Sequence, residues 1–198
     1  MTMHVRDAAT WKQVTSLSVK DASTWKSVIA GYVRDAGTWK AFHSVSNFAR
    51  PDADIATGNW GSGGSLWDKL DEVTPSDADA VDSATLTDAA PTDEFTVALS
   101  DVADPGVDTG HVIRARLKWS SDAVAGTLTV LLMQGATGIA ELATAGSTSY
   151  TTYTLVLTTA QAANITNYAD LRLRVTASKD DIGGTLVASC SWLEFEIP

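Results

Sequence analysis

A period of 14 residues governs the front of this chain. Val5-Arg-Asp-Ala-Ala-Thr-Trp11-Lys12 is followed by Val19-Lys-Asp-Ala-Ser-Thr-Trp25-Lys26 and Val33-Arg-Asp-Ala-Gly-Thr-Trp39-Lys40, so V-[RK]-D-A-x-T-W-K occurs three times at one spacing. Fourteen residues are too few for a helical-hairpin repeat and fit two short strands with two tight turns. The turn falls on Asp-Ala-x-Thr, because Asp7, Asp21 and Asp35 can each accept a hydrogen bond from the backbone two residues on. Trp, Lys and a later apolar residue then form the returning strand. Residues 1–48 are therefore expected to be a short-strand repeat meander. About 40 residues of two-stranded units bury little apolar surface alone. Trp11, Trp25 and Trp39, with Lys12, Lys26 and Lys40 beside them, are thus the expected attachment or oligomerisation interface.

Charge divides the chain at the same place. Residues 1–48 carry six basic and three acidic side chains, a net +3, whereas residues 49–198 carry eight basic and 21 acidic, a net −13. Such a split suggests that the two parts face different surroundings. Arg50-Pro51-Asp52 is the expected hinge, since the residue before proline is pushed out of helix. With a net charge of −10 over 198 residues and no basic footprint, duplex nucleic acid is not an expected partner. Cys190 stands alone, which excludes an internal disulfide and a thiolate metal cluster. The opening residues lack the charged and apolar regions of a signal peptide, and no run approaches about 18 apolar residues. The expectation is a chain made in the cytoplasm, with no membrane partner.

From Pro51 onward apolar residues alternate with polar ones. Phe95, Val97 and Leu99 share a face, as do Ile113, Ala115, Leu117 and Trp119. The same holds for Leu128, Val130 and Leu132; for Tyr153, Leu155 and Leu157; for Leu171, Leu173 and Val175; and for Leu193, Phe195 and Ile197. Strands with this period, punctuated by Gly, Asp, Ser and Pro, predict an antiparallel β-sandwich of jelly-roll type over residues 49–198. The fold class is all-β. Two short helices are predicted, Ser65 to Glu72 with Ser65 and Asp68 as a capping box, and roughly Thr159 to Ile165.

The polar faces carry the remaining information. Arg114, Arg116 and Lys118 alternate on one strand, Arg172 and Arg174 on another, Glu194 and Glu196 on the last. One reading is a single sheet whose solvent face bears cross-strand ion pairs; the other is contact with a neighbouring subunit or an acidic glycan. Residues 68–94 hold nine acidic side chains, read as a solvated acidic loop or a structural Ca²⁺ site, although EF-hand spacing is missing. A glycosidase would need two carboxylates about 5 to 9 Å apart, and nothing in the run singles out a pair. His4, His43 and His111 are isolated, Cys190 reads as a core filler, and Gly61-Ser-Gly-Gly64 lacks the Lys of a phosphate loop. No catalytic residue, metal site or cofactor is expected. Trp60 and Trp67 flank that glycine loop, where they either stack on a sugar ring or close the end of the sandwich.

The tandem units ending in Trp11-Lys12, Trp25-Lys26 and Trp39-Lys40 resemble short tryptophan repeats in structural proteins of tailed bacteriophages. Downstream, Pro51-Asp-Ala-Asp-Ile55, Asn59-Trp60, Leu66-Trp67-Asp68-Lys-Leu-Asp-Glu72, Tyr168-Ala-Asp-Leu-Arg-Leu-Arg-Val175 and Trp192-Leu-Glu-Phe195 look like a phage-type β-sandwich of the galactose-binding-like jelly-roll kind. Together these segments cover most of the chain. The resemblance implies a non-enzymatic virion component, a head, neck or tail fibre or spike, also found in phage-derived gene transfer particles. Its partners would be other virion proteins and copies of itself, with the repeats attaching to the particle or trimerising. The alternative is a carbohydrate-binding adhesion module that recognises bacterial surface polysaccharide through loops near Trp60 and Trp67.

Overall fold

The alternating runs become strands because only an extended backbone sends every second residue to one side. The structure, a computed structural model, describes the backbone of residues 4–7, 10–13, 18–21, 24–27, 30–35 and 38–44, and residues 47–61 and 64–198 with their side chains. Two compact units are distinguished, Met1–Ser46 and Asn47–Ile197.

In the first unit each repeat is one hairpin. β1 (His4–Asp7) pairs with β2 (Thr10–Gln13), β3 (Ser18–Asp21) with β4 (Thr24–Ser27), and β5 (Ala30–Asp35) with β6 (Thr38–Ser44), all antiparallel. The register repeats with the sequence: Asp7 opposes Thr10, Asp21 opposes Thr24 and Asp35 opposes Thr38. Among the described residues each repeat of the expected short-strand meander forms its own two-stranded sheet. The physical reason is locality, since a two-residue connection fixes the register of its own two strands and of no others.

The second unit is an antiparallel β-sandwich, as the alternation predicts. Its strands are β7 (Asn47–Ala49), β8 (Pro51–Ala56), β9 (Val81–Asp82), β10 (Thr92–Leu99), β11 (Val112–Trp119), β12 (Gly126–Gln134), β13 (Thr137–Thr144), β14 (Thr151–Val156), β15 (Leu171–Lys179) and β16 (Ala188–Ile197). One sheet runs β13-β12-β15-β10-β8 and the other β14-β11-β16-β7. β9 joins the second sheet on the edge of β16, where Ser189 opposes Asp82 and Cys190 opposes Val81. Further along, the Leu193 N–H donates to the carbonyl of Leu70 at 3.1 Å, and Phe195 to Ile197 oppose Ala49 to Asn47. Three chain segments distant in sequence thus line up beside one strand.

The apolar sets named from the sequence meet between the sheets. Phe95, Val97, Leu128, Val130, Leu132, Leu173 and Val175 come from one sheet, and Ile113, Ala115, Leu117, Leu193, Phe195 and Ile197 from the other, all fully buried. Leu157 is buried as well, while Tyr153 and Leu155 are only partly covered because β14 is an edge strand. Where Arg116 pairs with Trp192 and Leu117 with Cys190, Ser191 is left unopposed. This bulge lets Cys190 and Leu193 both enter the core. Burial pushes the Cys190 thiol up to about 12, which leaves it without nucleophilic thiolate at neutral pH.

Several expectations are corrected. Arg50-Pro51-Asp52 is not a hinge between units: Asn47–Ala49 already belongs to the sandwich, and Arg50-Pro51 is the corner where the chain passes from the second sheet to the first. Pro51 opens β8, where its missing N–H does least harm. The helix expected over Ser65 to Glu72 shrinks to a 3-10 turn, Trp67–Lys69, with no Ser65 cap. Its exposed N–H groups are taken instead by Asp54 of β8, whose Oδ1 accepts from Leu66 at 3.1 Å and from Trp67 at 2.9 Å. The second helix is one turn, Thr159–Ala162, with a Thr158–Gln161 capping box. Among the described residues, no helix is long and apolar enough to cross a membrane.

Candidate functional site

With every second residue of β11 and β16 turned inward, the intervening residues form an outer face, and β7 extends it. Register places Arg114 opposite Glu194, and Phe48 opposite Glu196. Glu194, whose side chain is 5% exposed, bridges two guanidinium groups: Arg50 Nη2 donates to its Oε2 at 2.5 Å and Arg114 Nη1 to its Oε1 at 3.3 Å. Arg114 Nη2 also donates to Glu196 Oε2. The four groups form one chain of charge-assisted bonds, which holds each planar group in a fixed orientation.

The network lies in an open trough of about 520 Å³. Phe48 borders it and is 40% exposed, with the Arg50 guanidinium carbon 5.1 Å from its ring centroid. The segment Val73 to Pro75 borders it too, together with Trp192, whose indole N–H donates to the Glu72 carbonyl at 2.7 Å. Two buried polar atoms in this neighbourhood have no hydrogen-bond partner, Arg50 Nε and Glu72 Oε2. Burial raises the Glu72 carboxyl above its ordinary value, and Asp79, Asp71 and Asp68 raise it further. Beyond the trough, Arg116 makes a bidentate pair with Asp77 at 2.6 and 2.7 Å, and Ser191 Oγ donates to Asp77 at 3.0 Å. The Arg116 bonds hold the Asp77 carboxyl below the usual range. The Lys118 ammonium sits 4.4 Å from the Tyr150 ring centroid.

Solvent-face ion pairs are therefore the structure of this stripe, with one correction. Arg172 and Arg174 belong to the other sheet, on β15, and pair there with Asp170 at 2.9 Å and Glu94 at 3.8 Å.

Of the nine carboxylates of residues 68–94, Asp68, Asp77, Asp82, Asp88 and Glu94 are exposed, as a solvated loop predicts, and several also act as staples. Besides Asp77, Asp82 accepts from Ser189 Oγ at 2.5 Å, and Asp88 accepts from buried Lys179 at 2.5 Å and from the Gly183 N–H. Asp93 is buried and accepts from the N–H groups of Asn59 and Ala84 at 3.1 and 3.0 Å. Among the described residues no three His, Cys, Asp or Glu side chains converge as a metal site. His111 is buried, with Nε2 2.7 Å from the Tyr168 hydroxyl and Nδ1 unpartnered. Burial lowers its pKa and raises that of Tyr168 to about 12.

Trp60 does not offer a ring to a ligand. It is 3% exposed and packs edge-on against Phe95 with centroids 4.8 Å apart. Trp67 is partly buried against the core, and neither ring lines the trough. The turn at Gly61, whose φ of 75° favours glycine, follows directly after the inward-facing Trp60. For Trp11, Trp25, Trp39, Lys12, Lys26 and Lys40 the side chains lie outside the described residues. Their backbone register is shared by all three hairpins: Arg6, Lys20 and Arg34 oppose the tryptophans, and Val5, Val19 and Val33 oppose the lysines.

The sequence pattern marks none of Phe48, Arg50 and Trp192 as a site residue: Arg50 reads as a hinge and Trp192 only as part of a resembling segment. Phe48 fell inside the segment assigned to the repeats, and Trp192 points outward only because of the bulge beside it.

No protein-family model matches this sequence and no curated protein does. Among solved structures, it is similar to the CBM36-1 carbohydrate-binding domain of a multidomain xylanase from the hindgut metagenome of Trinervitermes trinervoides, at 14% identity and a TM-score of 0.36, over 76% of this chain and 96% of that one. The carbohydrate-binding module TmCBM61, solved in complex with β-1,4-galactotriose, is similar at 10% identity and a TM-score of 0.31, over 60% and 69%. The enzymatically active domain of tailspike protein 4 of bacteriophage CBA120 is similar at 11% identity and a TM-score of 0.37, over 77% of this chain but 19% of that one.

Proposed function

We propose that the Asn47–Ile197 sandwich is a non-catalytic glycan-binding module and that the trough beside Phe48 is where it holds sugar. The observation that carries this reading is a solvent-facing aromatic ring next to a rigid row of planar hydrogen-bonding groups, Arg50, Glu194, Arg114 and Glu196. A pyranose has an apolar C–H face, suited to a ring, and hydroxyl pairs that match the forked geometry of guanidinium and carboxylate. Because the ion-pair chain is already assembled, little side-chain entropy is lost when a ligand arrives. Wild type and Phe48→Ala should be applied to a printed polysaccharide array. Retention of the wild type and at least about a tenfold loss in the variant is expected; equal retention of both would remove the trough from the reading.

A second role is favoured by the common register of the repeats. A cation opposite each Trp, three times over, in a segment of net +3 joined to a sandwich of net −13, supports attachment of Met1–Ser46 to a partner or to further copies. In this reading the protein is a particle component of the tail fibre or spike kind in a phage-like virion, with other virion proteins as partners. Light scattering of the full chain should give an assembly that falls to monomer when Trp11, Trp25 and Trp39 are all replaced by Ala. An unchanged mass would end the attachment role.

A further inference from the structure

Resting on the glycan-binding reading, we infer that the ligand of the trough is a neutral polysaccharide segment, and that chains bearing uronate, sulfate or phosphate are turned away.

Binding an anionic sugar needs a cation with bonding capacity to spare. The trough has none free of a carboxylate. Arg50 and Arg114 both bond to Glu194, and Arg114 also bonds to Glu196, so two positive groups face two negative ones. Elsewhere in the sandwich Arg116, Arg172, Arg174 and Lys179 are each paired with an acid as well. Lys118 lies over the Tyr150 ring, and Lys69 does not line the trough. Around this neutral floor the unit carries 21 acidic against eight basic residues, a field that lowers the local concentration of any anion before it arrives.

The polar capacity that does remain suits uncharged hydroxyls. Arg50 Nε has no partner but is closed to solvent, so it offers nothing to an arriving anion. Glu196 meets Arg114 through Oε2, and its Oε1 can accept. That acceptor beside the Phe48 ring matches a hydroxyl of a hexose lying with its C–H face on the ring. Salt should matter little, because no net charge is neutralised on binding.

The test uses the full chain on neutral galactan, mannan and β-glucan against polygalacturonate and alginate. Any retained polymer is then titrated calorimetrically at about 0.05 and 0.5 M salt, a range over which charge-driven binding is strongly screened. Retention of a neutral polymer alone is expected, with a Kd that changes less than about twofold between the two salts. The Val73→Asp substitution, at an exposed rim position that leaves the core untouched, should weaken neutral binding by about fivefold or more, since it crowds the rim with a strongly hydrated carboxylate. Capture of polygalacturonate or alginate, weakening more than about threefold on added salt, would overturn the neutral assignment while leaving glycan binding standing. Retention of a neutral polymer that ignores both Val73→Asp and Phe48→Ala would place the ligand elsewhere and overturn the inference. Retention of no polymer at all would overturn it together with the glycan reading.

Discussion

The two outer faces of the sandwich are made by the same period-two alternation, yet they organise charge differently. On the second sheet, Arg50, Glu194, Arg114 and Glu196 form one connected chain, with Glu194 almost wholly covered. On the first, Arg172–Asp170 and Arg174–Glu94 are separate pairs whose acids are 42% and 56% exposed. The difference comes from what lies over the strands. β16 is flanked by Arg50 and the 70–77 segment, which hold its outward residues out of water, whereas β15 faces solvent. Connectivity and shielding, not the number of charges, separate a built surface from an ordinary one.

Removing a member of each set should expose that contrast. Glu194→Ala leaves the partly covered Arg50 guanidinium without its acid and Arg114 with Glu196 alone, and a loss of about 3 kcal/mol is expected in the unfolding free energy read from denaturant curves. Next in size is an effect beneath the same sheet. Burial lowers the His111 pKa, so the unfolded chain takes up a proton first. Stability is then intact above the unfolded value of about 6.5 and falls below it, by at most about 1.4 kcal/mol per pH unit. Nearby Asp104 and Asp108 favour the protonated ring and soften the slope. Melting curves from pH 8 to pH 5 should show the decline in wild type and a flatter line in His111→Gln; parallel lines would refute the assignment.

Asp77 loses its contribution in the same direction, on acidification, but in a lower window. Its pKa is lowered by Arg116, so its contribution persists through that range and fades only below about pH 3.8. Asp77→Asn should cost roughly 1 kcal/mol at pH 7. Smallest of all, Arg172→Ala should change stability by less than about 0.5 kcal/mol. If its midpoint moved as far as that of Glu194→Ala, the distinction between the two faces would collapse.

The sandwich core was legible because each strand's apolar set is local information: Phe95, Val97 and Leu99 can be read without knowing what they pack against. The assignment of strands to sheets was not. Arg114 meets Glu194 across 80 residues, and no local pattern states that β15, with its own arginines, pairs with β10 and β12 instead. The cap at Leu66 was missed for the same reason, since its acceptor, Asp54, is on another strand. Phe48 was hidden by a boundary drawn where the charge pattern changes, two residues beyond where the sandwich takes up the chain. The turn Asp-Ala-x-Thr was readable, and the hairpins follow from it, but the faces those hairpins present depend on register, which emerged only as Arg6, Lys20 and Arg34 opposite the tryptophans.

The crowded edge of β16 has a kinetic consequence. Residues near 49, 70 and 81 all wait for a strand that begins at 188, and so does β11 on its other side. Closing loops of that length before any stabilisation is gained makes folding slow and dominated by non-local contacts. Until that late strand inserts, the earlier strands of the second sheet stand with unpaired edges, which is the interval in which this molecule is most exposed to misassembly with its own copies.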